Sequence, residues 1–200
     1  MNQFYKTISV VLHPIVIPTI GVILYFLLLP NNYASKQKLT LISLVFVTTY
    51  LIPLLILILF KKLKLIKNFY AETIKERKIP IAIMIVLFYL LGNTLANINE
   101  IKDIGLLFYA TCLGLVFVYL LFIFKIKTSI HLLSLGISTG FYLVLGHKYS
   151  HPFIAVVVIT ILLAGVLANA RLHLKAHTSI EVYLGYFLGF LSPFFVYYFL

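Results

Sequence analysis

The residues best suited to catalysis lie in a short polar segment near the C-terminal end of the chain. Arg171, His177 and Glu181 follow one another with five and then three residues between them. In a helix or its first turn, residues four apart share a face, so we expect the Glu181 carboxylate beside the His177 imidazole. A carboxylate bonded to one ring nitrogen fixes the tautomer and makes the other nitrogen more nucleophilic. Arg171 adds a permanent planar charge that matches phosphoryl oxygens, and the segment therefore predicts phosphoryl chemistry.

A second segment with a candidate acid or base comes earlier in the chain. Ser129 and His131 lie in the sequence Thr-Ser-Ile-His, and His131 is 40 residues before Arg171. An interval of this length holds one short helical hairpin, which returns the chain to the same end of a bundle. Ser129 and His131 are therefore predicted at the same end of the bundle as the polar segment.

A cluster of cations precedes the third apolar stretch. Lys75, Arg77 and Lys78 stand within four consecutive positions. They are predicted at the same end of the bundle and are candidate ligands for an anion. The alternative is a solvated loop whose charges only anchor the neighbouring helices at the membrane surface.

The composition excludes a soluble domain. Hydrophobic side chains make up 62% of the 200 residues and charged ones 10%, whereas soluble domains are close to half apolar. The 16 basic residues exceed the 5 acidic ones and give a net charge of +11, but they occur in short clusters between apolar runs. A nucleic-acid-binding face would be continuous, so no nucleic-acid partner is predicted.

The chain lacks the residue clusters that metal ions require. Its one cysteine, Cys112, lies in an apolar run, which excludes an internal disulfide and a cysteine zinc cluster. The carboxylates are not clustered as magnesium requires. We therefore predict no metal and no other cofactor.

Seven stretches have the length and apolarity of membrane-spanning helices, which need about 20 such residues. The predicted fold is an all-α integral membrane protein, a single bundle of six to seven transmembrane helices that occupies residues 1–200 as one domain. The stretches are residues 8–29, 39–60, 80–96, 104–124, 130–145, 153–170 and 182–200. Four prolines within them are expected to kink helices and three are expected at their ends, namely Pro14, Pro18, Pro53 and Pro193 within, and Pro30, Pro80 and Pro152 at ends.

The loop charges predict an orientation. If all seven stretches cross the membrane, twelve basic residues face one side and four face the other. Basic residues in short loops stay in the cytoplasm, so the N-terminus is predicted cytoplasmic and the C-terminus outside. The membrane itself is expected to be the cell (inner) membrane. The twelve are Lys6, Lys61, Lys62, Lys64, Lys67, Lys75, Arg77, Lys78, Lys125, Lys127, Arg171 and Lys175, and the four are Lys36, Lys38, Lys102 and Lys148.

The C-terminal polar segment resembles the third signature motif of the type-2 phosphatidic acid phosphatase superfamily, which includes lipid phosphate phosphatases and vanadium haloperoxidase-like proteins. That motif reads Ser-Arg, five residues, His, three residues, Asp. Arg171, His177 and Glu181 match it in spacing, while Ala170 replaces the serine and Glu181 the aspartate. The helix that follows has glycines at the family's interval, Gly185 and Gly189, although a small-residue packing face explains them more simply.

The other two motifs of this family are less complete. The second reads Pro-Ser-Gly-His, and Ser129 and His131 hold its serine and histidine while its proline and glycine are absent. The first reads Lys, six residues, Arg-Pro, and is not matched, because isoleucine separates Lys78 from Pro80 and no lysine stands seven residues before Arg77. The resemblance is therefore concentrated in residues 125–190.

The resemblance implies a membrane phosphatase that acts on a lipid phosphate or polyprenyl diphosphate without a metal. His177 would become phosphohistidine, Glu181 would stabilise its imidazolium, and His131 would protonate the leaving group and then activate water. Arg171 and Ser129 would bind phosphoryl oxygens, as would Arg77, Lys78 and Lys75. The alternative is a non-catalytic relative that binds or transports anionic lipids. The oligomeric state is left open.

Structural roles compete with these functional ones. Glu181 could favour a helix N-terminus through the macrodipole, His177 could be an interfacial side chain, and Arg171 could extend to the membrane surface. His13, beside Pro14, is predicted to donate to a backbone carbonyl that a kink sets free.

Overall fold

The protein is a bundle of α-helices. Its computed structural model describes residues 2–29, 33–69 and 73–199, and within these ranges there is no β-strand. Pro30, predicted at the end of the first span, lies outside the described residues. The helices are α1 (Asn2–Val11), α2 (Ile17–Leu28), α3 (Ser35–Phe46), α4 (Ile52–Lys62), α5 (Ile74–Ala96), α6 (Lys102–Leu121), α7 (Ile130–Lys148), α8 (Ile154–His173) and α9 (Ser179–Phe199).

Six helical segments in the described part of the chain are long and apolar enough to cross a membrane. One of them combines α3 and α4, which are joined by a π-helical turn, Val47–Leu51. Another is α6 with the 3-10 turn that precedes it, and α5, α7, α8 and α9 are the remaining four. The protein is therefore an all-α integral membrane protein, as its composition predicted.

The first apolar stretch is broken rather than kinked. It forms α1 and α2, because Pro14 has no N–H to continue the first helix and disfavours the helical conformation of His13 before it. Pro18 falls in the first turn of α2, where a missing N–H has no cost. The Tyr5 ring lies 4.2 Å from that of His173 at the end of α8. α1 therefore begins at the end of the bundle where α8 finishes.

The third span begins earlier than expected, and the prediction that Pro80 stands at its start is wrong. α5 begins at Ile74 and Pro80 lies inside it. The cause is a capping box: the Glu76 amide donates to the Thr73 hydroxyl at 3.3 Å and the Thr73 amide donates to the Glu76 carboxylate at 3.2 Å. Arg77 is consequently a helical residue with a fixed direction instead of a loop residue.

Small residues hold α7 against α9. A Cβ atom on Gly136 or Gly140 would collide with carbonyl oxygens of α9, and one on Gly189 would collide with a carbonyl oxygen of α7. At Gly185 the atom would lie 2.5 Å from the carbonyl oxygen of Ser129. The predicted packing role of Gly185 and Gly189 is confirmed. The close contact also brings the start of α7 beside the start of α9, where the candidate site residues lie.

An acidic residue links two helices at the other end of the bundle. Asp103 of α6 is buried, and its two carboxylate oxygens each lie 2.5 Å from a donor, the ammonium of Lys148 and the hydroxyl of Tyr149. Both donors belong to the end of α7 that is distant from Ser129. This contact ties α6 to α7 at the end of the bundle without the catalytic candidates.

Candidate functional site

The three predicted segments meet at one cavity of about 670 Å³. Of the predicted residues, Arg77, His131, Arg171 and His177 line it. They come from α5, α7, the last turn of α8 and the loop before α9. The volume lies within the range of small-molecule sites, roughly 300–1,000 Å³.

His177 is held in one tautomer. Its Nδ1 lies 3.0 Å from Oε2 of Glu181 and 3.0 Å from the carbonyl oxygen of Lys127. Both neighbours are acceptors, so Nδ1 carries the proton and Nε2 keeps its lone pair. The side chain is 1% exposed. The arrangement provides a neutral, oriented imidazole with one basic nitrogen.

Glu181 has a second contact that explains why the longer carboxylate fits. The same Oε2 accepts a hydrogen bond from the Thr178 amide at 3.0 Å, and the Glu181 amide donates to the Thr178 hydroxyl at 3.4 Å. This is a capping box at the start of α9, a motif that uses glutamate or glutamine at this position. The helix-terminus role of Glu181 and its pairing with His177 are therefore both present.

The surroundings of His177 favour its neutral form. Burial lowers the pKa of His177 below its ordinary value, and the positive charges of Arg77 and Arg171 lower it further. The hydrogen bond with Glu181 acts in the opposite direction and is outweighed. His177 is therefore a neutral imidazole at neutral pH, and the lone pair on its Nε2 is available for nucleophilic attack.

The two arginines that line the cavity are directed by backbone and side-chain oxygens. Nη1 of Arg77 donates to the carbonyl oxygen of Thr128 at 3.4 Å, and Nη1 of Arg171 donates to the hydroxyl of Ser9 at 3.5 Å. Arg171 lies inside α8 instead of in the following loop. Two guanidinium groups and a buried imidazole thus share one cavity, a set of donors suited to an anion.

His131 bonds to the first helix. Its Nε2 lies 3.2 Å from the carbonyl oxygen of Ser9, which can only accept, so Nε2 carries a proton. Ser9 lies in the last turn of α1, where carbonyl groups lack intrahelical partners. For His13, which was predicted to donate to a carbonyl, the structure shows a different bond: Nδ1 of His13 accepts from the Ile15 amide at 3.4 Å, and no bond from its ring to a carbonyl is present among the described residues. His131 is the residue that donates to a carbonyl near the break.

One face of α1, together with His13 just after its end, is a part of the site that the sequence interpretation missed. Lys6, Ser9 and His13 all line the cavity. The His13 ring also meets that of His131 edge to face, with 5.1 Å between centroids. Their spacing of three and four residues places them on one side of a helix. This polar stripe in an otherwise apolar segment was the available signal.

Three predicted ligands do not line the cavity. Ser129 is fully buried, its amide donates to the carbonyl oxygen of Glu181 at 3.0 Å, and its hydroxyl has no hydrogen-bond partner among the described residues. Lys75 is exposed. Lys78 lies in a shallow surface groove with Tyr119. Of the cations predicted from this segment, Arg77 is the one at the cavity.

The cavity continues from these polar groups into the apolar interior. Its walls include Leu57 of α4, Phe88 of α5, Leu107 of α6 and Ile137 of α7. Among the residues that the structure describes, no group of three or more histidine, cysteine, aspartate or glutamate side chains could hold a metal ion. The site therefore combines a cationic, histidine-containing mouth with an apolar extension.

Comparisons with models of known protein families, with curated proteins and with solved structures gave no match to this chain. The family resemblance rests on the motif residues alone.

Proposed function

We propose that this protein is a membrane phosphatase that hydrolyses a lipid phosphate through a phosphohistidine intermediate on His177. The observation that carries the proposal is the environment of one imidazole. Its Nδ1 proton is held by Glu181 and Lys127, its Nε2 lone pair is unprotonated, and two arginines line the same cavity. A pocket that only bound anions would need the cations but not an oriented nucleophile.

The first step transfers the phosphoryl group to the protein. Arg77 and Arg171 neutralise the phosphoryl oxygens that would otherwise repel the nucleophile. Nε2 of His177 forms the bond to phosphorus while the bond from phosphorus to the alcohol oxygen breaks. The arriving phosphate favours the imidazolium form of His131, which then gives a proton to the departing alkoxide. Glu181 stabilises the positive charge that develops on His177.

The second step releases phosphate. His131, now neutral, removes a proton from a water molecule as the water oxygen bonds to phosphorus and the bond to Nε2 breaks. His177 returns to its neutral form with its Nδ1 proton unchanged. Inorganic phosphate and a long-chain alcohol are the products, and each proton taken in one step is returned in the other.

A second candidate function is binding or transport of an anionic lipid without chemistry. The specific observation in its favour is the hydrogen bond from Nε2 of His131 to the carbonyl oxygen of Ser9. Nε2 is held by this bond, so only the Nδ1 proton of the imidazolium can pass to an alkoxide, whereas a binding protein requires no second titrating nitrogen.

The test is phosphate release by the purified protein in detergent from a panel of lipid phosphates and diphosphates, with a chelator present. We expect release that His177→Ala reduces by orders of magnitude. His173→Ala is the matched control, because His173 is an exposed histidine at the end of α8 that does not line the cavity. The intermediate should be trapped on His177 as an acid-labile, base-stable phosphoryl group. Absence of release by folded protein across the panel would favour the binding function instead.

A further inference from the structure

The apolar extension of the cavity has no part in the proposed phosphoryl transfer. We call this extension the apolar arm and define it by five of its lining side chains: Leu57, Met84, Phe88, Leu107 and Ile137. They come from α4, α5, α6 and α7, so the arm lies inside the bundle and not on its lipid-facing surface. Phe88, Leu107 and Ile137 are buried. The arm is continuous with the cavity that Arg77, His131, Arg171 and His177 line.

The depth of the arm follows from the spacing of its lining residues along α5. Arg77 and Phe88 both line the cavity and are 11 residues apart in that helix, which corresponds to about 16 Å at a rise of 1.5 Å per residue. One leaflet of the hydrocarbon core is about 15 Å thick. A ligand with its charged group at Arg77 would therefore reach roughly to the bilayer midplane.

Two of the hydroxyl groups along the apolar part of the cavity are already bonded to carbonyl groups of their own helices. Thr111 donates to the carbonyl oxygen of Leu107 at 2.8 Å, and Ser138 donates to that of Ser134 at 3.1 Å. Donors satisfied in this way do not require water or a polar ligand, so these side chains are compatible with a hydrocarbon.

We propose that the apolar arm binds the hydrocarbon chain of the lipid phosphate, so that the substrate is a phosphate ester of a long-chain alcohol whose chain lies inside the protein. The chemistry of turnover rests on the proposed function, but the binding of the chain does not. Charge complementarity sets the polarity of the ligand, because the cations lie only at the mouth. At about 1.2 Å per bond of an extended chain, roughly 13 carbon atoms fill the arm.

The first test measures turnover of alkyl phosphates of increasing length, all kept below the concentration at which they form micelles. Each methylene buried in the arm should raise kcat/KM by up to about fourfold. Met84 is seven residues from Arg77, a distance of about 10 Å that corresponds to about eight carbons. In Met84→Trp the rise should stop near that length while shorter substrates are unaffected.

The matched control is Val86→Trp, which adds the same side chain to the same helix at a position that is 57% exposed. It should keep the wild-type dependence on chain length. Equal behaviour of Met84→Trp and wild type, or phosphate release that does not depend on chain length, would overturn the chain site.

The second test measures where the ligand binds, independently of turnover. Dodecyl phosphate with a diazirine at the chain terminus is photolysed with the His177→Ala protein, and the labelled peptides are identified by mass spectrometry. We expect labels at Phe88, Leu107 or Thr111. Labels at the outer surface, around Leu90 and Tyr119, would overturn the proposal. If the labels lie in the arm but the wild-type protein releases no phosphate, the chain site is supported and the phosphatase function is rejected. If the wild-type protein releases phosphate but the labels lie outside the arm, the phosphatase function is supported and the chain site is rejected.

Discussion

Replacing Glu181 with glutamine separates the two roles of this side chain. Its Oε2 accepts one hydrogen bond from the Thr178 amide and one from Nδ1 of His177, each at 3.0 Å. Glutamine has the same length, keeps an acceptor oxygen, and serves equally well in a capping box. Glu181→Gln should therefore keep the start of α9 intact and remove only the negative charge next to His177.

Removing that charge should lower the rate of the reaction. A hydrogen bond to a charged group contributes about 1.5–3 kcal/mol, against about 0.5–1.5 kcal/mol for a neutral one. The difference, about 1–2 kcal/mol, applies when His177 becomes positive on attack. We expect kcat to fall about 5- to 30-fold in Glu181→Gln.

The pH dependence should change in a defined direction. Glu181 raises the pKa of His177 against the opposing effects of burial, Arg77 and Arg171. Without its charge the pKa of His177 falls further. The nucleophile must be neutral, so activity is lost as the pH falls through the pKa of His177. The acid limb of the variant's pH profile should lie at lower pH than that of wild type, and its maximal activity should be smaller.

The assay measures kcat and kcat/KM for one lipid phosphate across acid to neutral pH, together with the thermal midpoint of each protein in detergent. Glu181→Ala is the companion variant, and it should lose both stability and activity because it removes the cap as well. A Glu181→Gln protein with wild-type kcat and an unshifted acid limb would refute the assignment of Glu181 as the partner of a catalytic histidine.

Three further predictions concern packing, leaving-group protonation and the opposite end of the bundle. Gly189→Ala should lower the thermal midpoint because its Cβ collides with the backbone of α7, whereas Gly165→Ala, with nothing within 4 Å, should raise stability by up to about 1 kcal/mol. His131→Gln should reduce turnover of alkyl phosphates much more than that of nitrophenyl phosphate, and equal losses would contradict its role as an acid. Asp103→Asn should lower stability by about 1 kcal/mol at most, because the partner Lys148 side chain is 39% exposed, and the loss should shrink at high salt.

Much of the fold could be predicted because a membrane allows few architectures. An apolar run long enough to cross a bilayer must form a helix, so composition and run length alone indicated an all-α bundle. The predictions were wrong at positions where local chemistry determines where a helix begins or breaks. The capping box of Thr73 and Glu76 starts α5 six residues before Pro80, and the sequence at Pro14 breaks a helix that hydropathy alone would continue.

The site was predictable where its residues are close in sequence. His177 and Glu181 are four residues apart, and their hydrogen bond follows from helix geometry. Contacts that join distant segments gave no such signal. His131 and Ser9 are 122 residues apart, and Ser9 and Arg171 are 162 residues apart. Periodicity within one helix indicates a face but not which helix that face will meet, so the contribution of α1 was missed.

The break in the first helix and the arrangement of the site are physically connected. Because of Pro14, α1 ends at Val11, two residues after Ser9. The Ser9 carbonyl therefore lies in the last turn, where no later amide of the helix can bond to it. His131 of α7 supplies the missing donor, and the Ser9 hydroxyl accepts a hydrogen bond from Arg171 of α8. A helix continued through Pro14 would use this carbonyl internally and release His131. The helix end therefore positions a histidine and an arginine that the motifs place in separate segments.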